Sequence, residues 1–234
     1  NFSLYYLLRN SLVEDDIDFH AIHEGIRNNL TIYQPVNLMG TITSSHDQVR
    51  FISFADGQIK LDESPVERAF NMPPGDVQND LSYEKLFMFS AMNIALPGVP
   101  VIYYGEEIGM MGAGDPDNRR IMKFDDRLNT KEQSFLSRMQ TLISLRKKYP
   151  SLALGDWNIY YNIKSMVVWE KNYFGEKIII FFNKSPHEIN NSIQFYNTRV
   201  LKSLLDDKDG IVKDNRASIH LKPYATQIYL VESN

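Results

Sequence analysis

A nearly unbroken apolar run at residues 99–104 constrains the fold of this chain more than any other feature. The run follows Pro97 and Gly98, which end a segment with apolar residues at helical spacing (83–96), and it leads through a Gly- and Asp-rich loop into another helical segment (131–149). A strand that is apolar on both faces is typical of a parallel sheet covered by helices on both sides. The order helix, buried strand, helix therefore predicts an α/β fold.

Two further segments extend this alternation toward the N-terminus. Residues 2–8 have the aromatic and branched content of a buried strand, and residues 18–29 have the amphipathic pattern of a helix. Residues 36–43 form another apolar stretch, which ends in a polar cluster ahead of the helix at 83–96. We therefore expect three strand–helix units before Pro150.

The pattern changes after Pro150. Short runs rich in β-branched and aromatic residues are separated by Asn, Gly, Asp and Pro, without helical spacing between them. The sequence thus predicts two domains, an α/β part at 1–150 and an all-β domain at 151–234. Antiparallel strands are predicted at 159–163, 166–171, 177–182, 189–195, 199–204, 217–221 and 226–231.

Composition narrows the functional classes. The 234 residues carry 25 Lys and Arg against 29 Asp and Glu, a net charge of -4, so the basic excess that attracts nucleic acid is absent. No stretch approaches the roughly 18 apolar residues of a membrane-spanning helix. The chain has no cysteine, which excludes disulfides and thiolate chemistry but names no compartment. We expect neither a nucleic-acid partner nor a membrane span, and the localisation stays open.

The first polar cluster, residues 43–50, follows the second predicted strand. It places the carboxylate of Asp47, the imidazole of His46 and the guanidinium of Arg50 at the C-terminal end of a parallel strand, where α/β barrels carry their catalytic residues. The consecutive Ser45, His46 and Asp47 do not form a serine-hydrolase triad, because such triads are assembled from separated parts of a chain. A capped loop without catalytic function is the alternative.

Two further motifs follow the buried strand. Residues 103–107 are Tyr-Tyr-Gly-Glu-Glu, and residues 115–119 are Asp-Pro-Asp-Asn-Arg. A carboxylate such as Asp115 and a planar, five-donor guanidinium such as Arg119 can together satisfy adjacent hydroxyl groups of a ligand. The alternative is an ion pair between them that only shapes the loop, and the two interpretations are compatible. A calcium loop is less favoured, because the full set of alternating oxygen ligands is absent.

Together these motifs resemble the α-amylase family of glycoside hydrolases (family 13). Residues 45–50, Ser-His-Asp-Gln-Val-Arg, are similar to its fourth short motif, residues 95–110 to its eighth barrel strand, and residues 115–119 to its Asp-Pro-x-Asn-Arg loop. Ser45 stands where the commonest version has Asn, as it often does in neopullulanases and cyclomaltodextrinases. The resemblance implies the C-terminal portion of a (β/α)8 barrel, about strands 6–8, followed by an antiparallel β-sandwich domain.

The resemblance also implies roles for individual residues. Asp47 corresponds to the family's third carboxylate, a catalytic residue that hydrogen-bonds sugar hydroxyls and favours the distorted ring with oxocarbenium character. His46 is expected to bind a neighbouring hydroxyl of the same glucose, and Asp115 and Arg119 a glucose two or three units from the scissile bond. Arg50 is assigned to the substrate site as an orienting partner of the carboxylates, with a surface cation at a helix start as the alternative. No cofactor is implied, and calcium is left open for a full-length parent.

By this resemblance the chain is a fragment of a retaining α-glucan hydrolase of starch or maltooligosaccharide metabolism, and its substrate partner is an α-glucan. Retaining hydrolysis needs a nucleophile and an acid/base carboxyl about 5 Å apart. The family carries them after its fourth and fifth strands, and neither motif occurs here. We therefore expect no catalysis by this chain alone. The alternatives are a stand-alone carbohydrate-binding module and a non-catalytic relative retained for interaction.

Three weaker expectations concern other parts of the sequence. An open barrel edge at residues 2–8 invites self-association. His20 and His23 lie on one predicted helix, but their spacing without a further ligand is more typical of a solvated face than of a metal site, so no metal is predicted. Trp157 and Trp169 of the β-domain can stack on sugars but are expected in the core.

Overall fold

The computed structural model describes residues 1–14, 19–34 and 39–233. Residue 18 of the first predicted helix and residues 36–38 of the second predicted strand lie outside these ranges. Among the described residues, no helix combines the length and the apolar character needed to cross a membrane. Up to residue 154, the described chain forms seven α-helices and two strands, besides three single-turn 3-10 helices at 106–108, 117–119 and 125–127. The α-helices and strands are α1 (Phe2–Val13), α2 (Phe19–Tyr33), β1 (Gly40–Ile42), α3 (Phe51–Ala55), α4 (Pro65–Asn71), α5 (Leu81–Ala95), β2 (Val99–Val101), α6 (Thr130–Lys148) and α7 (Pro150–Leu154).

The two strands β1 and β2 form a parallel pair in which Gly40 lies opposite Val99. Helix α5 precedes β2 and helix α6 follows it, so the order of the second and third predicted strand–helix units is confirmed. The predicted burial of the second strand, β2, on both faces is wrong, because Val99 and Val101 are 47% and 43% exposed. Parallel strands end at the same edge of a sheet, where α/β folds carry their functional loops. The loops 43–50 and 102–121 therefore leave the sheet side by side.

The prediction of a strand at residues 2–8 is wrong, because this segment belongs to helix α1. The Asn1 side chain caps the helix by accepting a hydrogen bond of 3.2 Å from the backbone N–H of Leu4. Leu4, Leu8 and Leu12 are buried at intervals of one helical turn, which places them on one face. Self-association through a strand edge at residues 2–8 consequently loses its structural basis.

The chain beyond α7 is an antiparallel sheet of eight strands, in the spatial order β3-β4-β5-β10-β7-β8-β9-β6. All seven predicted strands are confirmed, and β8 was missed. The strands are β3 (Asp156–Ile163), β4 (Met166–Tyr173), β5 (Glu176–Asn183), β6 (Ile189–Gln194), β7 (Thr198–Ser203), β8 (Gly210–Lys213), β9 (Arg216–Leu221) and β10 (Thr226–Ser233).

Strands β4 and β5 are buried on both faces, because they lie between the helices and the rest of the sheet. On β4, Val167 and Trp169 belong to the core shared with the helices. Met166 and Val168 point to the opposite face and pack inside the β-domain. The predicted domain boundary after residue 150 falls within α7, whose Leu152 packs into the shared core. The division of the chain into two domains therefore stays a proposal.

Trp169 connects the sheet to helix α2. Its indole is fully buried, and its N–H donates a hydrogen bond of 3.4 Å to Nε2 of His23. Its ring also contacts Trp157 and Phe182 edge-on, with centroid distances of 5.4 Å and 4.9 Å. The expected core position of Trp169 is confirmed, whereas the expected solvated position of His23 is wrong, since that side chain is buried.

Trp169→Ala is expected to lower the free energy of unfolding by about 3–5 kcal/mol, because it leaves a large cavity between helix and sheet. Urea unfolding measures this as a lower midpoint at an unchanged slope. Phe174→Ala is the matched control, since Phe174 is 95% exposed at the β4–β5 turn. A similar loss in both variants would contradict the central position of Trp169 in the core.

Candidate functional site

The loop after β1 carries the first group of predicted site residues on its surface. The backbone turns within the loop, where the Gln48 N–H donates to the Ser45 carbonyl at 3.1 Å and the Asp47 N–H to the Ser45 hydroxyl at 3.2 Å. Helix α3 follows directly and is buried along its whole length. The loop is thus fixed at its base, while the His46 and Asp47 side chains stay 64% and 62% exposed.

Four of the five predicted site residues come together at this surface. We call His46, Asp47, Asp115 and Arg119 the surface cluster. Nη2 of Arg119 lies 3.6 Å from Oδ1 of Asp47 and 3.1 Å from Oδ2 of Asp115, and it therefore bridges the two carboxylates. Nε2 of His46 lies 3.2 Å from Oδ2 of Asp47. The cluster presents acceptors, donors and a flat guanidinium to solvent, a combination that suits the hydroxyls of a sugar.

Arg50 does not join the surface cluster. Its side chain is fully buried, so the alternative of a surface cation is wrong. The assignment of Arg50 to substrate binding is also corrected, because no part of its side chain reaches the surface. Instead, Nε and Nη2 donate to the backbone carbonyl of Asn118 at 3.1 Å and 2.9 Å, and Nη1 donates to the carbonyl of Tyr104.

Glu106 is the buried counter-charge of Arg50. Its Oε1 lies 3.6 Å from Nη1 of Arg50, and its side chain is 2% exposed. Burial raises the pKa of Glu106 to about 7, an effect that Arg50 opposes and Glu107 reinforces. From sequence, Glu106 or Glu107 was interpreted as the partner of a nearby cation without a catalytic role, but a Glu after a strand end gives no sign of whether it is buried.

Asn118 is the second residue that the sequence analysis missed. It is fully buried, and its side-chain amide donates to the carbonyls of His46 and Gln48 at 2.6 Å and 3.0 Å. These two carbonyls flank Asp47 in the chain. The signal was present in the motif at 115–119, where an Asn stands directly before Arg119.

A long segment between α3 and α5 borders the surface cluster. Helix α4 lies against residues 109–121, which we call the second loop, since the Gly114 N–H donates to the Pro65 carbonyl at 3.1 Å. The inner face of the helix places Ala69 against the core around Ala113. Val66 and Phe70, which are 54% and 71% exposed, lie four residues apart on the outer face.

Across residues 1–14, 19–34 and 39–233, no group of three or more histidine and carboxylate side chains is placed to hold a metal ion. The Asp115–Arg119 ion pair, which sequence analysis gave as an alternative to sugar binding, is present. The pair joins two residues of the second loop, and both partners remain accessible to a ligand, being 51% and 45% exposed.

No protein-family model matches the chain. Among curated proteins, a cyclomaltodextrinase of Thermoanaerobacter pseudethanolicus is 28% identical over 151 residues, which cover 64% of this chain and 22% of that protein. A cyclomaltodextrinase of Geobacillus thermopakistaniensis is 32% identical over 163 residues, which cover 68% of this chain and 26% of that protein. The chain therefore spans about a quarter of the length of these relatives.

A solved structure of an Anoxybacillus α-amylase superimposes on the whole chain. The TM-score is 0.82 at 24% sequence identity, and the match covers 100% of this chain and 47% of that one. At this identity the likeness is evidence of fold, and it confirms the predicted class of a barrel portion followed by an antiparallel β-domain. Since the curated relatives and the fold agree with the sequence motifs, the chain belongs to the α-amylase family of glycoside hydrolases and is similar to its neopullulanase and cyclomaltodextrinase members.

Proposed function

We propose that this chain is part of a retaining α-glucan hydrolase of starch or maltooligosaccharide metabolism. In this proposal the surface cluster binds the glucan and Asp47 stabilises the transition state. The observation that carries the proposal is the bridge from Arg119 to both Asp47 and Asp115, at the ends of two parallel strands. This bridge joins the two motifs on one exposed surface, where a single oligosaccharide chain can touch both.

Asp47 suits the stabilising role because it is exposed and held at its backbone. A fixed carboxylate accepts hydrogen bonds from sugar hydroxyls, and its charge favours the positive charge that develops on the ring as the glycosidic bond breaks. His46 lies beside it and can donate to a neighbouring hydroxyl of the same sugar. Asp47 itself neither attacks carbon nor protonates the leaving oxygen in this scheme.

The nucleophile and the acid/base carboxyl are assigned to a part of the parent protein outside this chain. Glu106 and Glu107 follow β2 but do not suit these roles, because Glu106 is buried against Arg50 and Glu107 is adjacent to it within the same turn. Asp117 is engaged by Arg120 at 2.8 Å. We therefore propose that the chain is inactive alone. A non-catalytic carbohydrate-binding or interaction protein derived from the family is the alternative function.

We also propose that residues 1–150 and 151–234 are the C-terminal part of the catalytic barrel and the C-terminal β-domain of the parent protein. The change from parallel to antiparallel pairing supports this division. Because Leu152 and Trp169 belong to a core shared with the helices, the β-domain supports the barrel portion directly.

Arg119→Ala in the intact parent protein is expected to lower kcat/KM about tenfold or more on long maltooligosaccharides, because a charged hydrogen-bonding group is lost at a sugar remote from the reacting carbon. A short substrate that does not reach this sugar site is expected to lose much less. The measurement is kcat/KM over a series of maltooligosaccharide lengths.

Arg199→Ala is the matched control for this series. Arg199 is 63% exposed and pairs with Glu232 at 2.9 Å on the β-domain, so its loss removes a comparable ion pair far from the cluster. We expect this control to keep the parental values at every length. An equal loss on all lengths in Arg119→Ala would show that Arg119 only shapes the loop through Asp115.

A further inference from the structure

A buried polar group lies beneath the surface cluster and has no part in the proposed function as stated above. We call Arg50, Glu106 and Asn118 the buried latch. All three side chains are at most 2% exposed. They come from three segments of the chain, namely the start of α3, the turn after β2 and the second loop.

Arg50 joins these segments through its guanidinium. It donates to the Tyr104 carbonyl after β2 and twice to the Asn118 carbonyl in the second loop. Its Cζ also lies 4.3 Å from the ring centroid of Tyr103 and 4.8 Å from that of Tyr104, which suits cation–π contact. Because Arg50 follows Asp47 by three residues, these contacts fix the end of the Asp47 loop.

Asn118 fixes the same loop from the opposite direction. Its side-chain amide donates to the carbonyls of His46 and Gln48, one on each side of Asp47. Its neighbour Arg119 reaches the same His46 carbonyl through Nε at 3.3 Å. The position of Asp47 relative to Arg119 is thus set by contacts to the backbone of the loop.

Glu106 is the acidic group that lies beside the buried guanidinium of Arg50. A buried guanidinium without a counter-ion is strongly destabilising, because it loses its hydration without compensation. The charged and titratable groups that face Glu106 are Arg50, Glu107 and Tyr5, and Arg50 is the cation among them. Loss of the Glu106 carboxylate therefore removes the acidic partner that orients Arg50 between the two loops.

We propose that Glu106 and Asn118 are positioning residues for Asp47, which act through Arg50 and through the loop backbone to hold the two loops at the spacing that sugar binding needs. This inference rests on the proposed function of Asp47. It goes beyond that function because it assigns the reaction two residues that do not touch the substrate.

The test is a double-mutant cycle in the intact parent protein, assayed above pH 7, where Glu106 is ionised, on an aryl maltooligoside with a good leaving group. Glu106→Gln keeps the side-chain shape and removes the charge, and it is expected to lower kcat about 10- to 100-fold, as a small misplacement of a reacting group does. If Glu106 acts through Asp47, then the double variant with Asp47→Asn is as slow as Asp47→Asn alone. Independent effects would multiply, which would overturn the inference.

Glu132→Gln is the matched control. Glu132 is also buried, and its Oε1 pairs with Nζ of Lys123 at 2.8 Å, away from the Asp47 loop. This variant tests what the loss of a buried ion pair does to the fold, and we expect kcat to stay at the parental value. If Glu132→Gln lowers kcat as much as Glu106→Gln does, the effect of Glu106 is one of general stability and the inference fails.

Asn118→Ala keeps the test decisive if Glu106→Gln does not fold. It removes the two hydrogen bonds to the Asp47 loop, leaves the charges of the latch intact and is expected to show the same non-additive loss with Asp47→Asn. If Asp47→Asn itself leaves activity unchanged, the proposed function fails. If Asp47→Asn abolishes activity while Glu106→Gln and Asn118→Ala retain the parental kcat, only this inference fails.

The pH dependence of the melting temperature reports on the ionisation of Glu106. The pKa of Glu106 is about 7 in the fold against an ordinary value of 4.5, so the folded state holds this proton more tightly than the unfolded chain does. Its contribution to stability is therefore present below pH 4.5 and is lost as the pH rises to about 7. Relative to Glu106→Gln, the parent protein is expected to lose stability across this window. An identical pH dependence of the two melting temperatures would contradict the burial of an ionisable Glu106.

Discussion

Replacing Asp47 with Asn in the intact parent protein is expected to lower kcat and kcat/KM together by about 10²- to 10³-fold, the loss typical of removing one fixed electrostatic group from a transition state. Asn keeps the size of the side chain and one acceptor, but it removes the negative charge. That charge matters most when the ring carries positive charge, so the loss falls on the transition state more than on the bound substrate.

Steady-state kinetics on a maltooligosaccharide measures this effect. The matched control is Asp207→Asn, an exposed aspartate in the β7–β8 connection of the β-domain, which is expected to leave both constants unchanged. A variant of Asp47 that raises KM at a parental kcat would contradict the stabilising role. It would indicate that Asp47 only binds the ground state.

The isolated chain of 234 residues is expected to release no reducing sugar from maltooligosaccharides. Bond cleavage with retention needs two carboxyls, which the proposed function assigns to a part of the parent protein outside this chain. The measurement is reducing-sugar release at high protein concentration over many hours, with the intact parent protein as the positive control.

Contaminating amylases are the main source of error in that assay, so the Asp47→Asn chain is the necessary companion. Turnover that survives repurification and disappears in the Asp47→Asn chain would contradict the assignment of the missing carboxylates to another part of the protein. Turnover that is equal in both chains would come from a contaminant.

The antiparallel strands could be predicted from the sequence because they are short, contain apolar residues and are separated by turn residues. The run at residues 166–169 is apolar on both faces, and the structure explains this by placing β4 between the helices and the inside of the β-domain. Strand β8 was missed because it has four residues, of which Ile211 is exposed, so neither length nor burial marks it.

At residues 2–8 the spacing of the apolar residues does not distinguish a strand from a helix. Seven consecutive apolar or small residues fit a buried strand and a buried helix equally well. The difference appears only over a longer window, in which Leu4, Leu8 and Leu12 recur at one helical turn. The run at residues 99–104 follows Pro97 and Gly98, and the run at residues 36–43 ends in a polar cluster, so both could be predicted as short strands.

The motifs predicted which site residues lie close together, but they did not predict how far each side chain is buried. Arg50 and Arg119 both follow a carboxylate in a short motif, yet one is fully buried and the other is about half-exposed. The burial of a side chain depends on the residues that pack around it. Arg50 is surrounded by Tyr104, Glu106 and Asn118, which lie more than 50 positions away in the sequence. Such long-range packing leaves no local signal in the sequence.

We propose that the surface cluster holds an α-glucan chain. A crystal structure of the intact parent protein with a bound maltooligosaccharide tests it most directly. We expect one saccharide chain in which Asp47 and His46 contact the glucose at the cleavage point, and Asp115 and Arg119 contact another glucose of the same chain. Two further carboxyls from outside the 234 residues are predicted on either side of the glycosidic bond. A saccharide bound elsewhere, with the surface cluster facing only solvent, would contradict the proposed sugar binding by this cluster.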